Sequence, residues 1–158
     1  METRPEIDIA LSSIKGKPAW ELRRDVGSMF FLELGAPISR AGQLRSHGEW
    51  HFLVESCHWR FESPESVLVG SEDEPSFIDA TFNSLKLGFV ENADVLPPSQ
   101  DLQINFTCGI KFKTFTTSAQ ATDQWTQWVL SGPDDFAWVS DGGGQVRSIR
   151  RDDPVRRS

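Results

Sequence analysis

The chain has 158 residues, 38% of them hydrophobic and 25% charged, with a formal net charge of −7 at pH 7. That length and apolar content suffice for one core without disulfide or metal staples, while purely apolar runs of about four residues, such as Met29–Leu32, exclude a spanning helix. The acidic balance also disfavours nucleic acid, whose phosphates it repels.

Charge is unevenly spread. Residues 147–158 hold five Arg against two Asp, so residues 1–146 carry −10. From Glu62 to Asp101, nine acidic residues face Lys86 alone. Such a body suits a basic partner. Six Trp and eleven Phe with no Tyr supply large apolar side chains for a core. Cys57 and Cys108, in a chain whose N-terminus is charged throughout and lacks an apolar export core, read as free thiols in the cytoplasm.

In chain order, Thr3-Arg4-Pro5-Glu6 has the form of a capping box. Ile7, Ala10, Leu11 and Ile14 then fall on one helical face, and Gly16 supplies the stop. Alternation predicts strands over Trp20–Asp25, Ser28–Leu34, Glu49–Ser56 and His58–Ser63, with a short edge at Val67–Val69. The segment 71–76, SEDEPS, opens a second helix, with Phe77, Ile78, Thr81, Phe82 and Leu85 as its stripe and Gly88 as its end. A strand over Phe89–Val95 follows.

Asp101–Phe115 defines a hairpin. Leu102, Ile104 and Phe106 alternate with polar residues, and Ile110, Phe112 and Thr114 alternate with Lys111 and Lys113. A two-residue loop at Cys108-Gly109 would set Phe106 opposite Lys111, joining an apolar face to a charged one. A three-residue loop, Thr107-Cys108-Gly109, sets Phe106 opposite Ile110 and Ile104 opposite Phe112, with Gly109 at positive φ. The second register is the one predicted. Trp125–Leu130 and Phe136–Ser140 complete the strands, and residues 146–158 read as a mobile Arg-rich tail. The expected organisation is one α+β domain over residues 1–145. Its sheet is mainly antiparallel, curved or partly closed as a barrel, with two short helices packed on it.

All three histidines and one cysteine fall in His47–Phe61, HGEWHFLVESCHWRF. On a strand, His47, Glu49, His51 and Glu55 share one face. His47 and His51 would be about 13 Å apart, at roughly 3.3 Å per residue, too far to share a metal. On a helix the zinc-protease pattern His-Glu-x-x-His is absent. Cys57 and His58, adjacent on a strand, would face opposite sides and form no nucleophile–base pair. Even-numbered Trp50, Phe52 and Val54 give way to odd-numbered Trp59 and Phe61, which requires a bulge or tight turn near Ser56-Cys57. Gly142-Gly143-Gly144 lacks the Gly-Lys-Ser/Thr ending of a phosphate loop. No catalytic, cofactor or metal residue is therefore expected. The candidates for partner contact are Glu72, Asp73, Glu74, Asp134 and Asp135, of which the first three also suit a helix N-terminus.

Leu85-Lys86-Leu87-Gly88-Phe89-Val90, Asp101-Leu102-Gln103-Ile104-Asn105-Phe106, Gly109 with Phe112 and Phe115, and Trp125 or Trp128 form one pattern. Trp20, Gly27, Phe31, Gly48-Glu49-Trp50 and Trp59-Arg60 extend it over residues 18–130. It resembles small uncharacterised bacterial proteins, some of which sit beside polymorphic toxins as candidate immunity proteins. The resemblance implies a fold and a non-enzymatic role. Together with the acidic body, it leads to a cytoplasmic binding protein of immunity or antitoxin type that takes no cofactor and blocks a basic, toxin-like partner protein. The alternatives are a small-molecule-binding domain with an aromatic-lined pocket between sheet and helix, and an enzyme using the His47/Glu49/His51 face. Edge strands could also pair two copies as a homodimer.

Overall fold

The computed structural model describes residues 4–39, 47–117, 126–134, 136–141 and 145–150. In chain order its elements are α1 (Arg4–Ile14), β1 (Pro18–Arg24), β2 (Phe30–Ile38), β3 (His47–Val54), β4 (His58–Glu62), β5 (Val67–Gly70), α2 (Pro75–Ser84), β6 (Gly88–Leu96), β7 (Asp101–Phe106), β8 (Lys111–Phe115), β9 (Trp128–Ser131), β10 (Phe136–Ser140) and β11 (Val146–Arg150). The strands lie in the order β11-β10-β9-β3-β2-β1-β6-β7-β8-β4-β5, every neighbouring pair antiparallel. The outermost strands do not pair with each other, so the sheet is curved and open. The fold is α+β, as expected. No helix among the described residues is long and apolar enough to cross a membrane.

The sheet has a narrow waist. β1 and β6 pair only through Pro18 with Phe89 and Ala19 with Gly88. Phe30, on β2, lies on one side of this waist, whereas β4 and β8 lie on the other. Yet the Phe30 ring is 4.8 Å from that of Trp59, 5.8 Å from Phe61 and 5.5 Å from Phe112. The two halves therefore fold over and face each other. α1 packs on β6 and β11, and α2 on β1 and β5, so each helix spans from one half to the other. Ile7, Ala10, Leu11 and Ile14 are all buried, and the Gly16 N–H (φ +83°) donates to Val90 O at 2.7 Å, tying the end of α1 to β6. From α2, Phe82 reaches Phe30 at 5.2 Å and Trp59 at 5.7 Å. The Trp59 indole N–H donates to Ser28 O at 2.9 Å, so this ring is buried without an orphaned polar group.

The hairpin follows the predicted register. Ile104 pairs with Phe112 and Asn105 with Lys111, the Phe106 N–H donates to Ile110 O at 2.9 Å, and Gly109 closes the loop at φ +93°. The change of apolar parity also falls where expected, in the non-strand link Glu55–Cys57 between β3 and β4.

Other expectations need correction. Phe77 is 51% exposed. It sits about 100° around the helix from Ile78, and Ile78 with Phe82 carries the buried face. α2 stops at Ser84, where Leu85 turns to extended backbone; Gly88 (φ +76°) instead opens β6. β2 continues to Ile38 past a bulge between Leu34 and Pro37. The strand expected from Trp125 begins at Trp128, because Thr126 and Gln127 accept from Ser56 N–H and Glu55 N–H off the regular ladder. Val146–Arg150, read as the start of a tail, is the edge strand β11. Its arginines are used locally: Arg150 lies 5.2 Å over the Phe136 ring and Arg147 Nε donates to Asp141 Oδ2 at 2.6 Å. Thr3, Trp125, Asp135, residues 142–144 and residues 151–158 lie outside the described residues.

Two substitutions separate backbone from packing contributions. A Cβ at Gly109 meets nothing within 4 Å, so Gly109→Ala should lose only the positive-φ advantage, about 1 kcal/mol in urea unfolding. Phe30→Ala should lose about 3–5 kcal/mol, since it empties the centre of the ring cluster.

Candidate functional site

The strongest concentration of chemistry lies on the side of β2 facing away from the core. Leu32 and Leu34 enter the core, so the alternation turns Glu33 outward, and the register sets it opposite His51 on β3. Glu33 is nevertheless 0% exposed. Its Oε1 accepts from Gly48 N–H at 2.9 Å. His51 Nδ1 lies 2.9 Å from both carboxylate oxygens, and His47 Nδ1 is 3.6 Å from Oε2. Arg23 Nη2 approaches Oε2 at 3.5 Å, but its Nη1 bonds Glu21 at 3.2 Å and its guanidinium lies 4.8 Å over Phe31. Burial pushes the Glu33 carboxyl up; the His51 bond, the Gly48 N–H and the two imidazoles outweigh it and hold the carboxyl below the usual range.

Gly48 makes this cluster possible. A Cβ there would lie 2.3 Å from Leu34 O, so only glycine lets β2 and β3 close up beside the Leu34/Pro37 bulge. The His47 and His51 rings come within 5.4 Å, edge to face, and the ligating atoms of Glu33, His47 and His51 all lie within 4.8 Å of one another. This corrects the 13 Å separation, which counts positions along the strand and ignores the reach of two imidazoles turned toward each other. It also corrects the expected carboxylate. Glu49 is drawn to Lys17 Nζ at 3.0 Å and accepts from Ala36 N–H at 3.2 Å, and the Lys17 bond, then the Ala36 N–H, hold its carboxyl below the usual range. Glu33 has a signal in the sequence: a lone charge inside the apolar run Phe30–Leu34.

Cys57 and His58 do not pair. Cys57 is buried, its Sγ donates to Gln127 O at 3.4 Å, and burial pushes the thiol up to about 12. His58 turns to Glu72 at 3.1 Å.

The acidic candidates separate into two places. Glu72, Asp73 and Glu74 are exposed between β5 and α2. The Asp73 carboxylate accepts from Gly70 N–H at 2.8 Å, while Glu74 is the N-cap of α2 and makes no side-chain cap bond. Asp134 is exposed in the β9–β10 turn, on the other half of the sheet, and Asp135 lies outside the described residues. Beside Glu72–Glu74, the edge strand β5 leaves Val67 58% exposed. An open groove of about 390 Å³ runs between β1 and the end of α2, with Trp20 and Phe82 as the aromatic residues that line it among the described residues.

No protein-family model, curated protein or solved structure matches this chain.

Two outcomes check this geometry. Glu33→Ala leaves the buried Gly48 N–H without its acceptor and should cost about 2–4 kcal/mol in denaturant unfolding. In native protein at pH 8, a thiol reagent should label exposed Cys108 promptly and Cys57 only on unfolding, as read by intact mass.

Proposed function

We propose that this chain is a non-catalytic binding protein of immunity or antitoxin type, which takes a basic partner protein at the β5 edge. The observation that carries this reading is one continuous segment, residues 65–77. It combines a sheet edge, exposed acids at Glu65, Glu72, Asp73 and Glu74, and exposed apolar side chains at Val67 and Phe77. Residues 62–85 contain no Lys or Arg. An edge strand offers unpaired main-chain N–H and C=O groups to an incoming strand. The flanking carboxylates then select a partner strand rich in Lys and Arg and speed its encounter. Val67 and Phe77 supply the apolar contact that charge alone does not give.

A second reading rests on the β1–α2 groove, which has the volume of a small-ligand site. A small-molecule panel that raises the melting temperature of wild type but not of Trp20→Ala would favour it.

The test of the first reading is co-expression with the product of the adjacent gene, followed by association kinetics at low and high salt. Binding should be fast at low salt and slow as salt rises. The triple variant Glu65→Lys/Glu72→Lys/Glu74→Lys, which spares the Asp73–Gly70 bond, should lower the association rate by about 10-fold or more at low salt, with a melting temperature that moves by no more than a few degrees. A partner that associates equally fast with the variant, or repeated failure to recover a complex, would sink the reading.

A further inference from the structure

We propose that Glu33, His47 and His51 form a binding site for a divalent transition metal ion, with zinc as the fitting occupant. The site lies on the half of the sheet that does not carry β5, so it stands independently of the partner reading.

The donor set is one carboxylate and two imidazoles. That set suits zinc and its neighbours, whereas magnesium and calcium take mainly oxygen donors. Ligands of a tetrahedral zinc, at about 2.0–2.2 Å from the metal, stand about 3.3 Å from one another. Here His51 Nδ1 is 2.9 Å and His47 Nδ1 3.6 Å from the same Glu33 oxygen, Oε2. These two distances bracket the required value, and the three ligating atoms all lie within 4.8 Å of one another, so ligation draws the two histidine nitrogens in around the common oxygen.

Three further observations point to a ligand rather than to a closed hydrogen-bond cluster. His47 Nδ1 is buried and has no hydrogen-bond partner, which a native site seldom leaves unexplained. The other Glu33 oxygen, Oε1, is already fixed by Gly48 N–H at 2.9 Å, the kind of outer bond that orients a ligating carboxylate. The His47 and His51 side chains keep 35% and 20% of their surface, which leaves a way in and a fourth position for water. Binding replaces the His51–Glu33 hydrogen bond: an imidazolium releases its Nδ1 proton to solvent and keeps the one on Nε2, a neutral Nδ1–H ring moves its single proton to Nε2 through solvent, and in both cases the Nδ1 lone pair goes to the metal. Arg23 Nη2 also donates to Oε2 at 3.5 Å, and a metal there would displace this long bond while the shorter one from Nη1 to Glu21, at 3.2 Å, stays.

The experiment uses untagged full-length protein, stripped with chelator. Zinc is titrated by calorimetry and cobalt(II) by visible absorption. One equivalent per chain is expected, with cobalt bands of a low-coordinate nitrogen/oxygen site and no thiolate charge-transfer band. His47→Ala touches none of the Gly48–Glu33–His51 bonds, so it should fold. It should lose more affinity than the roughly 10–100-fold that an outer-shell partner is worth. His51→Gln should lose as much and serves as the second variant. Cys108→Ser should bind as wild type does. A thiolate band, less than one equivalent, or equal affinity in wild type and the two histidine variants would overturn the proposal.

Discussion

The face-to-face contact of two half-sheets across a two-residue joint is the constraint on which the rest of this structure depends. With only Pro18–Phe89 and Ala19–Gly88 paired at the waist, extended by the Gly16–Val90 and Val90–Lys17 hydrogen bonds, the backbone joins the halves along one short seam. Aromatic packing joins them across their faces. Phe30 meets Trp59, Phe61 and Phe112 from the opposite half, and Phe82 enters from α2. A chain with eleven Phe, six Trp and no Tyr is suited to this. Phenyl rings bring no polar group into the seam, and the buried Trp59 needs one acceptor, which Ser28 O provides. The helices follow from the same geometry. A sheet folded over a waist leaves gaps between a central strand of one half and an outer strand of the other, and α1 and α2 each span such a gap.

Local periodicity made the elements legible. The Phe106–Ile110 register could be chosen because one alternative joined unlike faces and the other put glycine where positive φ was needed. The α1 face, Ile7 to Ile14, was equally plain. The waist was not, because a two-residue pairing leaves no periodic trace. Nor was β11, whose alternation is hidden by arginines that pack on Phe136 and bond Asp141. Phe77 shows the limit of composition: a large apolar residue beside a buried stripe is still outside it when the helix turns by one position.

The histidine site was half visible. His47 and His51 stood out, but the strand rise set them too far apart, and Glu49 drew attention as their neighbour on the same face. The actual carboxylate comes from β2, fourteen positions before His47, through cross-strand pairing that no local spacing encodes. The decisive residue is Gly48. Its missing side chain brings Leu34 and the two strands together, and it donates the N–H that fixes Glu33. A glycine between two polar strand residues reads as a weak point in the sequence; in the fold it is what allows the cluster to close.

Stability alone does not explain why Glu33 is there. An ionised carboxylate taken fully out of water loses hydration that its partners must replace, and buried ion pairs are often no more stabilising than apolar side chains of the same volume. The same face of the sheet supplies such an alternative, since Val129, Ala137 and Val139 pack there as a small apolar cluster with Ile149 and with Leu53, two residues from His51 on β3. Extending that cluster across β2 would have required one apolar residue at position 33 and none of the surrounding machinery. Instead the chain places a carboxylate there, gives Oε1 a backbone donor, sets His51 against both oxygens and His47 near Oε2, and leaves His47 Nδ1 without a hydrogen bond. A network built only to satisfy Glu33 would end when its acceptors were filled. The second histidine adds a buried nitrogen that stands 3.6 Å from the carboxylate without a hydrogen bond of its own, a place that a cation held in common by the three groups would fill.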